Sequence, residues 1–537
     1  MNLLIFLVTY FLLVFSMIGY GYVLHTGVFK LKNINFGYLG FFGIFALLFI
    51  SYVSHIFFSH GKLFNSIILI LGIVFFINLL LNIDKENKKK LLFQISLFII
   101  LIFFILSAKT HDDFAYYHFA YIHLLTTEPT IFGIGVFNHG FRTPSSIFYL
   151  SSLFYLPKIE YNLIHIAPVF YLGFANFVLI QKINFLVKDK NNYFIIFLSL
   201  LSLIIINIFF YRIGEHGTDR SAQIIIFLII IELLYYLNTK SIKNELLQRL
   251  YILIILCISL KSLYIIYLAL FIPILFSQEK KFTYLINLIK DKVFLLSVLF
   301  LFIIFGFSII NTGCAVYPLN ITCFQDLPWS LSHNAVSNAN NHYELWAKGG
   351  MSPTFKVVNG LDYIRNFNWV PNWIDAYFFN KVSDYLYSLI FIFIFFVMIF
   401  RGKNNLFTET RNYKFIYILL LIFFSEWFYN HPSLRYGGYH LIALILFIPL
   451  CIYLEKNISL RYFSKKITII LFLIFTIFFV RNLQRIEKEY NIYEYNVFKN
   501  PSYNKKFENY GMYGVVMKSK KMKTKKFLNK EFLYYQK

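Results

Sequence analysis

Apolar residues in this chain fall in runs of roughly 15 to 25, close to the ~20 that a helix needs to cross a bilayer core. Short polar stretches separate the runs. Strands of a membrane barrel would alternate apolar and polar positions, and runs such as 224–234 do not. The pattern predicts spanning helices near 3–24, 36–57, 64–82, 91–108, 162–182, 193–211, 222–238, 293–310, 386–400, 414–429, 438–454 and 467–481. The stretch 250–276 carries Lys261 at its middle and reads as two short helices that return to the side they left, a hairpin within the membrane. The expected fold is all-α, a polytopic transmembrane bundle of about 12 to 14 helices with interfacial helices in its external loops. It divides into an N-terminal three-helix segment (1–90), a transmembrane core (91–310), an external insertion (311–385), C-terminal helices (386–481) and a basic tail (482–537).

Composition agrees with lipid as solvent. Only 14% of the 537 residues are charged, against roughly 25% in soluble domains, and the mean hydropathy is +0.63. The formal net charge of +24 reads as basic loops beside anionic headgroups plus a basic tail, not as a nucleic-acid surface. The apolar N-terminus lacks a charged leader and a small-residue cleavage site, so it reads as a retained helix. Short Lys- and Arg-rich loops stay cytoplasmic. With the hairpin at 250–276, six such loops (84–90, 182–190, 240–249, 280–292, 401–403 and 456–466) fall on one side. The other face receives 109–161, 212–221, 311–385, 430–437 and the tail, whose basic character strains the charge rule. Cys314 and Cys323 share the external insertion and are candidates for a disulfide, while Cys257 and Cys451 lie in apolar helices as inert core residues. There is no CxxC pair, zinc spacing or phosphate-binding Gly-Lys-Ser loop.

Candidate chemistry gathers on the external face. Residues 109–123 hold His111, Asp112, Asp113, His118 and His123 among aromatic side chains. Read as a helix, this stretch puts His111 and His118 on one face, with Asp112, Tyr116 and Tyr117 nearby. One carboxylate can serve as general base on a hydroxyl while the other orients it. Helix capping explains one Asp, not two flanked by histidines. Residues 138–146 carry Arg142 in a turn, either to bind phosphate or to snorkel to headgroups. The apolar run 147–156 is too short to span and is expected to lie in the interface. The turn 212–220 holds Glu215, His216 and Asp219 between Arg212 and Arg220, and Asp219 is equally readable as one half of an ion pair with either arginine. Lys261 is an ionisable group at membrane depth, where a functional role is the default. In 431–440, Arg435 stands beside Gly437 and Gly438, an anion site with room for close approach or a plain interfacial anchor.

The acidic pair Asp112–Asp113 just outside a helix, followed by aromatic-rich segments, resembles the GT-C superfamily of polytopic glycosyltransferases over residues 91–310. Those enzymes use lipid-phosphate-linked sugars and carry an acidic motif in an early external loop. Here three helices precede the one that leads into the motif, whereas that superfamily usually places the motif after the first helix. The segments His111-Asp-Asp-Phe, Gly140-Phe-Arg-Thr-Pro-Ser-Ser and Arg435-Tyr-Gly-Gly are also similar to a family of bacterial membrane proteins associated with surface-polysaccharide genes, a likeness that brings no reaction with it.

The resemblance implies a multi-pass glycosyltransferase of a bacterial inner membrane, acting in cell-surface glycan synthesis. A polyprenyl-phosphate sugar would be the donor and a glycan or lipid the acceptor, with no nucleic acid involved. Asp112 or Asp113 would act as base, Arg435, Arg142 or Lys261 would hold the phosphate, and Asp219 and His118 would position sugar or a divalent cation such as Mg or Mn. His111, Glu215 and His216 would complete the substrate site. Two alternatives stay open: a surface-polysaccharide polymerase or ligase that relies on arginines, and a transporter or flippase. A transporter should spread its charges across the midplane and both sides; here they collect on one face, Lys261 excepted.

Overall fold

The structure of the chain is a computed structural model. It describes residues 2–31, 33–106, 113–190, 192–210, 217–239, 243–352, 355–405, 413–499, 501, 515–527 and 530–536. His111, Asp112, Glu215 and His216 lie outside the described residues.

The fold is an all-α polytopic bundle. Among the described residues, nine helices are long and apolar enough to cross a membrane, which makes this a multi-pass membrane protein. In chain order the helices begin with α1 (Leu3–Val23), α2 (Phe36–Phe57), α3 (Lys62–Asn82), α4 (Lys85–Ile100), α5 (Ile102–Ile105), α6 (Phe119–Thr127), α7 (Ser146–Ser152), α8 (Ala167–Asp189) and α9 (Tyr193–Ile204). They continue with α10 (Thr218–Asn238), α11 (Lys243–Leu260), α12 (Phe271–Phe276), α13 (Lys281–Lys290), α14 (Lys292–Thr312), α15 (His333–Lys348), α16 (Gly360–Ile364) and α17 (Val370–Trp373). Last come α18 (Ser383–Phe400), α19 (Tyr413–Asn430), α20 (Gly438–Lys456) and α21 (Phe463–Tyr493).

Helices α8, α9, α10 and α11 are apolar nearly all round and almost wholly buried, which is how a helix reads when other helices enclose it. Helices α3, α14, α18 and α21 instead leave large apolar side chains such as Leu63, Phe302, Phe391 and Phe472 exposed, as lipid-facing helices do. Helices α1 and α3 pack backbone against backbone: a Cβ on Gly19 of α1 would stand 2.0 Å from the Gly72 carbonyl oxygen of α3. Small residues allow such contact where apolar burial alone gives helices no preference over lipid.

Four readings of the sequence change. The helix expected at 91–108 starts earlier, because Asp84 caps α4 through the Asn87 N–H (2.7 Å), and it breaks near Leu101 to leave the one-turn α5. The polar loop expected at 280–292 contains α13, whose apolar side chains Phe282, Leu285 and Ile289 are exposed. The interfacial run at 147–156 is instead α7, buried within the bundle. Its serines make that burial tolerable, since Ser146 accepts from Ser259 (2.8 Å) and Ser151 donates to the Ile164 carbonyl (2.7 Å). Finally, residues 114–118 form a π-helical turn, so the ordinary helical spacing that placed His111 and His118 on one face does not run through this stretch.

The hairpin at 250–276 is present. Helix α11 runs back along α10 and ends at Leu260; after Lys261 a nine-residue 3-10 segment (Ser262–Leu270) and α12 return. Lys261 is therefore the apex, delivered to the N-terminal end of α10. Strand β1 (Arg401–Asn405) pairs with β2 (Asn457–Ile458), and the tail forms an antiparallel hairpin of β3 (Met522–Phe527) and β4 (Lys530–Tyr535). Cys314 and Cys323 are joined in a disulfide.

Candidate functional site

Four ionisable side chains from distant stretches of chain converge at one end of the bundle. Asp219 occupies the first turn of α10, where a carboxylate suits the exposed N–H groups and the positive end of the helix dipole. Each of its oxygens meets a cation. Lys261 Nζ bonds Oδ1, and Arg435 Nε donates to Oδ2 at 2.5 Å. The other arm of the guanidinium, Arg435 Nη2, lies 3.8 Å from Asp113 Oδ2, and the Tyr117 hydroxyl is 3.5 Å from that same oxygen. The Lys261 ammonium also sits over the Tyr436 ring, 4.4 Å from its centroid.

Exposure divides the four by task. The Asp219 side chain is only 6% exposed, whereas Lys261, Asp113 and Arg435 keep 29%, 34% and 36%. Asp219 is a buried anchor that holds two cations, and the cations and Asp113 face an accessible space. Burial works against the Arg435 charge, but the Asp219 carboxylate and the Tyr436 and Tyr117 hydroxyls outweigh it and raise its pKa, so the guanidinium stays cationic. Burial pushes the Tyr436 phenol up to about 12 and raises Tyr117 as well, with Asp113 adding to the latter; both remain neutral donors.

The turn that carries Arg435 is clamped from three helices. Trp373 Nε1 donates to the Pro432 carbonyl (2.8 Å), Trp427 Nε1 to the Ser433 carbonyl (2.8 Å) and Gln223 Nε2 to the Arg435 carbonyl (2.9 Å), while the Leu434 N–H donates to the Tyr377 hydroxyl (3.0 Å). Gly437 has φ +132°, a conformation that side chains avoid, and it lets the chain reverse into α20. The space beside Gly438 is taken by Trp427, whose indole would lie 2.5 Å from an added Cβ; the close approach there serves packing, not a ligand. Segment 103–106, from which the acidic stretch departs, is gripped by Arg485 of α21, whose Nη2 lies within 3.0 Å of the Phe103, Phe104 and Leu106 carbonyl oxygens.

Asp113, Asp219, Lys261 and Arg435 are thus brought together. The others differ. Arg142 is engaged by the Gly135 carbonyl (3.0 Å) and the Tyr317 hydroxyl (2.8 Å), so its turn is tied to the 311–385 insertion. His118 is buried against Tyr117 and Phe148. Asp219 pairs with Lys261 and Arg435 and not with its neighbour Arg220, whose guanidinium lies over Phe210. Among the described residues, no group of three or more His, Cys, Asp and Glu side chains is arranged to hold a metal. The residues present do not fit a cation at Asp219, because two side-chain cations already satisfy that carboxylate.

A second ionic cluster sits at the opposite end of the same helix. Glu232 lies 13 residues beyond Asp219, about 20 Å along the axis. It bonds Lys182 and accepts from the Tyr38 hydroxyl at 2.5 Å. Arg249 stacks over Tyr38 (4.5 Å) and reaches Glu245 (3.5 Å). The Glu232 and Lys182 side chains are 1% and 9% exposed. This cluster escaped the sequence reading, although a lone acid inside an apolar run was the available signal.

One protein-family model matches residues 1–442, and its description is Domain of unknown function (DUF8201). No curated protein and no solved structure matches the chain.

Proposed function

The chain belongs to that family, and we propose that it is a membrane glycosyltransferase that takes sugar from a polyprenyl-phosphate donor at the outer face of a bacterial inner membrane, in cell-surface glycan synthesis. The observation that carries this reading is the half-exposed pair of cations, Lys261 and Arg435, held side by side on a buried carboxylate with a more accessible carboxylate 3.8 Å away. Two fixed cations match a phosphate. A nearby carboxylate matches an attacking hydroxyl.

Asp113 accepts the proton of the acceptor hydroxyl as its oxygen bonds to the anomeric carbon of the sugar. The bond from that carbon to the phosphate oxygen breaks, and Arg435 and Lys261 stabilise the charge left on the polyprenyl phosphate. Asp219 positions both cations. Tyr117 and Tyr436 are neutral donors at the rim. No step is routed through a metal.

An apolar groove supports a lipid donor. It encloses about 590 Å3 and is lined by side chains such as Trp373, Phe378, Phe424, Trp427 and Leu446. Trp373 and Trp427 are the two residues that also clamp the Arg435 turn, so a chain lying in the groove would have its phosphate end near the cations. A polymerase or ligase reading shares this lipid-phosphate chemistry but would lean on the arginine and not on Asp113.

The test is complementation of a strain that lacks the protein, with surface glycan measured and protein level matched. Asp113→Asn should abolish the glycan. Unchanged glycan with that variant would remove the carboxylate mechanism and leave the arginine-based reading.

A further inference from the structure

The basic tail has no part in the reaction above, and the charge rule for loops leaves it unexplained. Its described portion is an ordered hairpin with a defined seat. The Phe132 N–H donates to the Leu533 carbonyl (3.0 Å) and the Tyr535 N–H to the Phe132 carbonyl (2.9 Å), so β4 pairs with segment 129–137 on the edge away from β3. Phe132 packs on Phe532 and Trp329, and Phe137 packs on Tyr535.

The seat is tied to the last turn of α14. The Gly133 N–H donates to the Ile310 carbonyl (2.7 Å) and Trp329 Nε1 to the Ile309 carbonyl (3.0 Å). Helix α14 is lipid-facing, with Leu295, Leu299 and Phe302 exposed along it, so its last turn marks where it leaves the apolar core. Aromatic residues gather at that level in membrane proteins. The hairpin therefore stands at the membrane surface, at the same end of the bundle as Asp219; Asn311 of that last turn bonds Tyr121, one helical turn beyond Tyr117.

The hairpin is strongly basic. Lys518, Lys520, Lys521, Lys523, Lys525 and Lys526 are all exposed. Glu531 is the sole acidic residue between 515 and 536, and it lies 3.7 Å from Lys526. Lysines on an edge strand deter pairing with other chains, which accounts for those within β3. It does not account for Lys518, Lys520 and Lys521, which precede the strand.

We propose that this hairpin is an electrostatic anchor that docks on the anionic phosphate headgroups of the adjacent leaflet. Lysines at that height lie within a Debye length of the surface, where anionic lipid attracts them. The anchor lies beyond the family-matched residues 1–442 and does not depend on which reaction the bundle performs.

The full-length protein tests it, reconstituted in vesicles with Thr524→Cys carrying a fluorophore. Cys257 and Cys451 are buried and Cys314 and Cys323 are bonded, so the label is confined to one site. Quenching by a headgroup spin-labelled lipid is compared in phosphatidylcholine vesicles with and without phosphatidylglycerol. At low salt, phosphatidylglycerol should raise quenching about threefold. The gain should vanish at 1 M salt, where the Debye length is about 3 Å, and in Lys520→Glu/Lys523→Glu/Lys525→Glu. The salt titration of the unsubstituted hairpin tests the idea even if that triple variant misfolds. Equal quenching in both vesicle types, or a gain that survives high salt, would overturn the proposal. So would protection of the label by soluble polyglutamate with none from phosphatidylglycerol, which would assign the lysines to a soluble acidic polymer.

Discussion

Helix α10 carries a buried carboxylate near each end, and the two have been put to different uses. Glu232 is sealed: a lysine, a phenol and the protein around them leave it 1% exposed, and its partner Lys182 is nearly as enclosed. Asp219 is nearly as buried, at 6%, yet its two cations reach outward toward a second carboxylate. The first arrangement turns its charges inward, with Lys182 and Tyr38 both meeting Oε1 of Glu232, and is closed to solvent. The second fixes cationic groups at an accessible surface and leaves their outward faces available, which is the preorganisation that electrostatic catalysis requires. Burial of charge alone does not distinguish a structural ion pair from a site. The direction in which the partners face does.

Substitutions at the two ends should separate activity from stability. The largest effect on activity is expected from Asp113→Asn, a loss of about 10² to 10⁴ in the rate of sugar transfer, with the melting temperature in detergent unchanged. At the other end, Glu232→Gln should leave Lys182 buried without a countercharge and lower stability by about 3 to 5 kcal/mol, measurable as a drop in melting temperature while the surviving folded protein keeps its turnover. Replacing Glu232 and Lys182 together by leucine should restore most of that stability, because a buried pair contributes little over a matched apolar pair. A double variant as unstable as the single one would show that the inner cluster does more than balance charge.

Arg435→Lys keeps the charge and removes the fork that reaches Asp219 and Asp113 together. A loss of about 10- to 100-fold is expected, mostly as a raised KM for donor if the guanidinium holds the phosphate. The smallest effect concerns pH. Burial, with Lys261 and Lys348 adding to it, holds His431 beside the site at about 4. An unfolded imidazole titrates near 6.5, so below that pH the unfolded chain binds the extra proton. The stability contributed by neutral His431 is whole above pH 6.5 and is lost as pH falls through about 4. Melting curves between pH 7 and 4 should show a shallower acid slope in His431→Gln.

Much of the bundle was legible because lipid imposes a simple rule on sequence: long apolar runs with charged ends. The hairpin apex at Lys261 was legible too, since one lysine within an apolar stretch must be brought to a partner. The partner itself was not. Local spacing suggested Arg220 or Arg212 for Asp219, but the fold supplies Lys261 and Arg435 from 42 and 216 residues away. Spacing along one segment carries no information about which segments meet. The run 147–156 differs for another reason: its length is too short to span and so reads as interfacial, but the fold encloses it, with Ser146 and Ser151 hydrogen-bonded to neighbouring segments. Glu232 was overlooked inside a run so apolar that one acid did not alter its reading.

The central claim is that Asp113 works as a base beside fixed phosphate-binding cations. Purified protein in lipid, loaded with a polyprenyl-phosphate sugar and supplied with acceptor, allows transfer to be followed in a single turnover. The account predicts that Asp113→Asn binds donor as the unaltered protein does and forms no product on its timescale. Product formed at the unaltered rate by Asp113→Asn would contradict it.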